Sequence, residues 1–174
     1  GQVTARHIVV PELSGVVSDR DSAGFTLTDA DGNEYRVLLS EQTFAEGCAE
    51  MIKYAMIWSR DFFDLLESCD IHQQIEQIVA YCVDIKRQVV EQDEHDTGLR
   101  MILNFGHTLA HVAEKEYHYE TYTHGQAVAF GMHQIARLGE QMGVTPAGTA
   151  EIIREMLETY TLPTSIPLSG SIED

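Results

Sequence analysis

The spacing of apolar residues changes near residue 40, from the period of a β-strand to the period of an α-helix. Before that point, apolar and polar side chains alternate on both arms of a predicted hairpin, with Phe25 and Leu27 on one arm and Tyr35, Val37 and Leu39 on the other. Asp31-Gly32 lies between the arms, and glycine tolerates the positive φ that a tight turn needs. The segment 7–19 can supply one or two further short strands. Residues 1–40 are therefore predicted to form a small β appendage.

After residue 40, apolar residues recur every three or four positions, which predicts five or six helices. The predicted helices cover residues 44–58, 61–68, 71–92, 99–117 and 123–142, and a last one runs from Pro146 or Thr149 to about Tyr160. Thr123 is the predicted N-cap of its helix, and Gly106 is a weak point inside the helix over 99–117. The fold class is thus mainly α, with a helical domain over 41–164 and a loose tail over 165–174.

The charge balance argues against two classes of partner. The 174 residues include 28 acidic and 11 basic side chains, for a formal net charge of -17. Nucleic acid and anionic membrane surfaces attract basic proteins, so we expect neither as a partner. The sequence has no run approaching the roughly 18 apolar residues of a membrane helix, and its first residues do not resemble a signal peptide. Three cysteines without a CxxC pair are typical of a reduced, cytoplasmic protein.

Histidine and glutamate positions suggest a metal site. His107 and His111 are four residues apart, which places both rings on one face of a helix. His124 opens the next predicted helix, and Glu50 lies on the first. A carboxylate and two imidazoles from three helices can form a metal site with an open coordination position. The alternative is that two histidines at this spacing form an ordinary surface or core pair.

Cationic and amide side chains form a second group of candidates. One row of them is expected along a groove wall on the helix over 99–117: Arg100, Asn104, His107 and His111. Lys53 follows Glu50 by three residues, and its ordinary alternative role is an ion pair along the helix. Lys86 lies at the edge of an apolar stripe, where its aliphatic stem can cover apolar surface.

Three blocks of sequence resemble the C-terminal helical domain of 3-dehydroquinate synthase. They are AEGCAEMIKYAMI, IKRQVVEQDEHDTGLRMILNFGHTLAHVAEK and THGQAVAFGMHQIARL, and the resemblance covers residues 38–163. It implies conversion of 3-deoxy-arabino-heptulosonate 7-phosphate to 3-dehydroquinate and phosphate. This lyase reaction belongs to the shikimate pathway and uses bound NAD and a divalent metal, usually zinc.

The same resemblance implies a role for each matching residue. The implied metal ligands are Glu50, His107 and His124. The implied catalytic residues are Lys53, Asn104 and His111. The implied substrate-binding residues are Lys86 and Arg100, in contact with a small anionic sugar phosphate.

The sequence departs from that family in the parts that hold NAD and phosphate. It has no glycine-rich dinucleotide motif, and no Lys or Arg follows Arg154. Gln126 also stands where the family's HGEAV motif has glutamate. The chain is therefore expected to be a fragment, one part of a split enzyme or an inactive relic. Turnover is expected to need a nucleotide-binding domain or subunit, and a homodimer is compatible with the sequence.

Other functions remain open at this point. Another sugar-phosphate cyclase, such as a 2-deoxy-scyllo-inosose or valiolone-type synthase, shares the architecture, and metal-dependent polyol dehydrogenases resemble the sequence less. Arg100 favours the dehydroquinate branch, because a guanidinium suits the carboxylate of that substrate. A noncatalytic helical interaction module, with the β hairpin as a docking edge, is the alternative from a different class.

Overall fold

The computed structural model of the chain describes residues 15–21, 24–38, 41–95 and 98–168. Two compact units make up the chain, Gly1–Phe44 and Ala45–Asp174. The described residues contain six α-helices, one 3₁₀ helix and one small sheet, which confirms the predicted mainly α fold. Among these residues, no helix combines the length and the apolar character needed to cross a membrane.

The N-terminal unit holds a three-stranded antiparallel sheet. Its strands are β1 (Gly15–Asp21), β2 (Gly24–Asp29) and β3 (Glu34–Leu38), in the order β1-β2-β3. Leu27 pairs with Tyr35 across the predicted hairpin, and Gly32 adopts φ +81° in its turn. The hairpin prediction is confirmed, with β1 as an additional strand. The part of the predicted strands before residue 15 lies outside the described residues.

The bounds of the helices agree closely with the predicted ones, except over residues 99–117. They are α1 (Glu41–Trp58), α2 (Arg60–Ser68), α3 (Ile71–Gln92), α4 (His107–Glu116), α5 (His124–Gln141) and α6 (Thr149–Thr159). The hydroxyl of Thr123 accepts a hydrogen bond from the backbone N–H of Gln126, which confirms the predicted cap of α5. Residues 162–168 have no regular secondary structure, and the rest of the predicted tail lies beyond the described residues.

The prediction of one continuous helix over residues 99–117 is wrong. A 3₁₀ helix covers Leu99–Asn104, and Gly106 then adopts φ +82° before α4 begins at His107. Residues three apart, not four, share a face of a 3₁₀ helix, so Arg100 and Asn104 do not stack in one row. The break at Gly106 also separates both of them from the helical face of His107 and His111.

Glycines bring α4, α5 and α1 into backbone contact. A Cβ atom at Gly131 of α5 would lie 2.0 Å from the carbonyl oxygen of Gly106, at the start of α4. A Cβ atom at Gly125, in the first turn of α5, would lie 2.6 Å from Cα of Glu46 in α1. Neither distance leaves room for a side chain. The three helices therefore meet where Gly131 contacts Gly106 and Gly125 contacts Glu46. These contacts are close in sequence to His107, His124 and Glu50.

We expect Gly131→Ala to lower the free energy of unfolding by about 3 kcal/mol, at the upper end of the cost of overpacking, because the clash is with backbone. Gly47→Ala is the matched control, since a Cβ atom there meets nothing within 4 Å on the exposed side of α1. It is expected to raise stability by about 0.5–1 kcal/mol. Urea unfolding measures both, and equal effects of the two variants would contradict the close approach of α4 and α5.

Candidate metal centre

One carboxylate and two imidazoles converge from three helices. Glu50 lies in α1, His107 is the first residue of α4, and His124 is the first residue of α5. Their potential ligand atoms all lie within 4.8 Å of one another, and the ring centroids of the two histidines are 5.2 Å apart. This donor set is typical of a divalent metal such as zinc, with a coordination position left for water or substrate.

Hydrogen bonds on the far side of both rings fix which nitrogen is available. Nδ1 of His107 lies 3.3 Å from the carbonyl oxygen of Phe105, and Nδ1 of His124 lies 2.9 Å from Oε1 of Glu114. A carbonyl and an ionised carboxylate can only accept, so each ring donates its Nδ1 proton. In this tautomer both rings present unprotonated Nε2 atoms, the arrangement that partners of ligating histidines usually impose.

The protonation of His107 also suits metal binding. Burial of the ring, followed by the nearby Lys53 ammonium, lowers the pKa of His107 below its usual 6.5. Its imidazole is therefore neutral at pH 7, with a lone pair that a cation can use. The donor types and the neutral imidazole of His107 both fit a divalent metal.

Lys53 lies inside the cluster and not on the surface. Its ammonium is 2.9 and 2.8 Å from the two carboxylate oxygens of Glu50. The Lys53 side chain is 3% exposed, whereas that of Glu50 is 35% exposed. The ion pair expected as the ordinary alternative is thus present, but its cation is buried beside the candidate ligands.

Glu114 is a site residue that sequence reasoning missed. Its buried carboxylate accepts hydrogen bonds from Nδ1 of His111 through Oε2 and from Nδ1 of His124 through Oε1, both at 2.9 Å. Burial alone would raise the pKa of Glu114, but these two hydrogen bonds outweigh it and lower the pKa. The sequence signal was its position three residues after His111 in HVAE, whereas the contact with His124 depends on the tertiary fold.

The exposure and the hydrogen bonds of the remaining candidate residues place them outside this cluster. Lys86 is exposed on α3, and Asn104 is exposed at the end of the 3₁₀ helix. The guanidinium of Arg100 approaches the carbonyl oxygen of Glu94 at 3.5 Å. Within the described ranges, no hydrogen bond or ion pair joins these three side chains to Glu50, His107 or His124. The structure therefore brings together a smaller set of the predicted residues: Glu50, Lys53, His107, His111 and His124.

A separate cavity of about 170 Å³ lies between α1, α5 and α6. Its walls are mostly apolar and include Met56, Ile135 and Ile153. None of the candidate site residues lines it, so the candidate metal centre and this cavity lie in different parts of the helical unit.

The profile of a protein family described as 3-dehydroquinate synthase C-terminal matches residues 47–173. The chain belongs to this family. The resemblance found in the sequence is thereby confirmed, and all three candidate ligands lie within the matched residues.

Curated relatives agree with the family. The 3-dehydroquinate synthase of Clostridium beijerinckii is 46% identical over 139 residues, which cover 78% of this chain and 40% of the relative. That of Clostridium perfringens is 46% identical over 140 residues, covering 78% of this chain and 39% of the relative. The chain thus spans about two fifths of the length of the curated 3-dehydroquinate synthases it matches.

The ion pair between Glu50 and Lys53 can be tested in metal-free protein. We expect Glu50→Gln to lower the free energy of unfolding by about 1–3 kcal/mol, because it leaves a buried ammonium without its counter-charge. Lys53→Met should cost less, since the Glu50 carboxylate can be hydrated. Urea unfolding with a chelator should show that the double variant costs less than the sum of the two single variants. Additive effects, within about 0.5 kcal/mol, would contradict the ion pair.

Proposed function

We propose that this domain holds the divalent metal and part of the substrate site of a 3-dehydroquinate synthase. The observation that carries the proposal is the convergence of the ligand atoms of Glu50, His107 and His124 within 4.8 Å. Zinc is the proposed ion, since one carboxylate and two neutral imidazoles suit it. When bound, such an ion supplies positive charge that holds a substrate oxygen and stabilises negative charge developing there.

The substrate in this proposal is 3-deoxy-arabino-heptulosonate 7-phosphate, a small anionic sugar phosphate. A chain with a net charge of -17 repels such a molecule at long range, so binding must come from short-range, directed donors. Lys53 supplies a buried positive charge next to Glu50, and Nε2 of His111 accepts a hydrogen bond from a substrate hydroxyl. Lys86, Arg100 and Asn104 are proposed to bind the outer phosphate, carboxylate and hydroxyl groups, with Arg100 on the carboxylate.

NAD does not fit the residues of this chain. The sequence has no glycine-rich loop between a strand and a helix, which is the usual cradle of a dinucleotide pyrophosphate. In our proposal a nucleotide-binding domain or subunit holds NAD, and this chain contributes the metal site and part of the substrate-binding site. Catalysis of the full reaction then requires both parts.

Zinc calorimetry on chelator-treated protein tests the metal site. We expect one zinc ion per chain, and a loss of affinity of about 100-fold or more in Glu50→Gln, His107→Ala and His124→Ala, because each removes a ligand. His95→Ala is the control, since His95 is exposed in the loop after α3. Zinc affinity that is the same in all four variants as in the wild-type chain would contradict the site.

Phosphate release tests the reaction. The chain with zinc, NAD and 3-deoxy-arabino-heptulosonate 7-phosphate is expected to release no phosphate and to show no NAD binding in calorimetry. A chimera in which this chain replaces the matched segment of the Clostridium beijerinckii protein should release phosphate, and Lys53→Met should abolish that release. Micromolar NAD affinity of the chain alone would contradict the division of roles. A folded chimera that binds zinc and NAD but releases no phosphate would contradict the proposed reaction.

A further inference from the structure

The Glu114 carboxylate is buried, and within the described residues no lysine or arginine forms an ion pair with it. Its side chain is 8% exposed, and in the part of the chain that the structure describes its ion-pair partners are two histidines, His111 and His124. A buried carboxylate is costly unless its oxygens are satisfied, and here each oxygen accepts one imidazole N–H at 2.9 Å. Packing alone does not explain a charged side chain at this position, because an apolar residue would fill it at lower cost.

Glu114 also connects the two helices that carry the ligands. It lies near the end of α4, and His124 is the first residue of α5. The backbone carbonyl of Glu114 accepts a hydrogen bond from the N–H of Tyr119 at 2.8 Å, within the loop that leads to α5. The main chain and the side chain of one residue thus anchor both the loop and the first ring of α5.

We propose that Glu114 is a positioning residue that fixes the ring orientation and the tautomer of His124 and His111 together. It holds the proton of each ring on Nδ1, so that Nε2 of His124 can bind the metal and Nε2 of His111 can accept a hydrogen bond from substrate. This inference rests on the proposed function for the identity of those ligands. It adds that a single carboxylate fixes the orientation and the tautomer of both the metal-facing and the substrate-facing histidine.

A glutamine at this position cannot do the same. Its amide oxygen accepts from one ring, but its NH₂ group must face the other ring at an unprotonated Nδ1. The proton of that second ring then moves to Nε2. If the second ring is His124, its Nε2 can no longer bind a cation, and if it is His111, the substrate-facing nitrogen becomes a donor.

The test uses the whole chain and the variants Glu114→Gln and Glu116→Gln. Glu116 is the matched control, since it is exposed on the same helix and its substitution removes the same charge. Two-bond ¹⁵N–¹H correlation spectra of metal-free protein at about pH 8, where histidines are ordinarily neutral, report the tautomer of each ring. Zinc calorimetry reports the affinity, and thermal unfolding reports the stability of each variant.

We expect Nδ1-protonated His111 and His124 in the wild-type chain, a changed tautomer of one of them in Glu114→Gln, and zinc affinity weaker by about 10–100-fold in that variant only. A Glu114→Gln variant that melts lower but keeps its affinity and tautomers would overturn the proposal. If that variant does not fold, the wild-type spectrum decides, since Nε2-protonated rings there also overturn it. A wild-type chain that binds no zinc would refute the proposed function, whereas Nδ1-protonated rings in the same sample would still support the role of Glu114.

Discussion

The close approach of α4 to α5 fixes the backbone positions of the candidate ligands His107 and His124. The carbonyl of Gly106 occupies the space that a side chain at Gly131 would need, and Gly125 allows the same kind of approach between α5 and α1. Ala110, Ala113 and other small residues are fully buried along these helices. Because backbone meets backbone there, the main-chain positions of His107 and His124 are held at a fixed separation. The geometry of the candidate centre therefore depends first on helix packing, which places the backbone, and then on the orientation of the side chains.

Charge is distributed very differently in the interior and on the surface. Several of the few cations pair with neighbours on exposed helix faces, as Arg87 does with Asp84 and Glu91 and as Arg154 does with Glu151. Such pairs contribute about 0–1 kcal/mol each. Lys53 is the contrasting case, because its ammonium is buried beside the carboxylate of Glu50. Among the described lysines and arginines, the buried one thus lies beside the candidate metal centre.

Periodicity in the sequence was enough to find the helices but not to find which of them meet. The stripe over 71–92 coincides with α3, and the Thr123 cap of α5 could be foreseen because both depend on neighbours in sequence. The prediction of one row of side chains from Arg100 to His111 was wrong, because a 3₁₀ helix and the positive φ of Gly106 interrupt the α-helical period. From the residues alone, the convergence of Glu50, His107 and His124 was one possibility beside an ordinary histidine pair, because their spacing of 57 and 17 residues carries no geometric information. The family resemblance is what made the prediction specific. Glu114 was missed because its contact with His124 joins two helices across a loop.

The ion pair within α1 gives the Glu50 carboxylate a counter-ion that is covalently part of the chain. Lys53 and Glu50 lie one helical turn apart, so their charges can separate and meet again without any movement of the backbone. Many small metalloproteins unfold when their ion is removed, because the ligands then repel each other or lose their only partner. Here the carboxylate has an internal cation to return to, and the core is formed by packed helices. The helical unit should therefore fold without an ion, which would make its synthesis independent of the supply of metal.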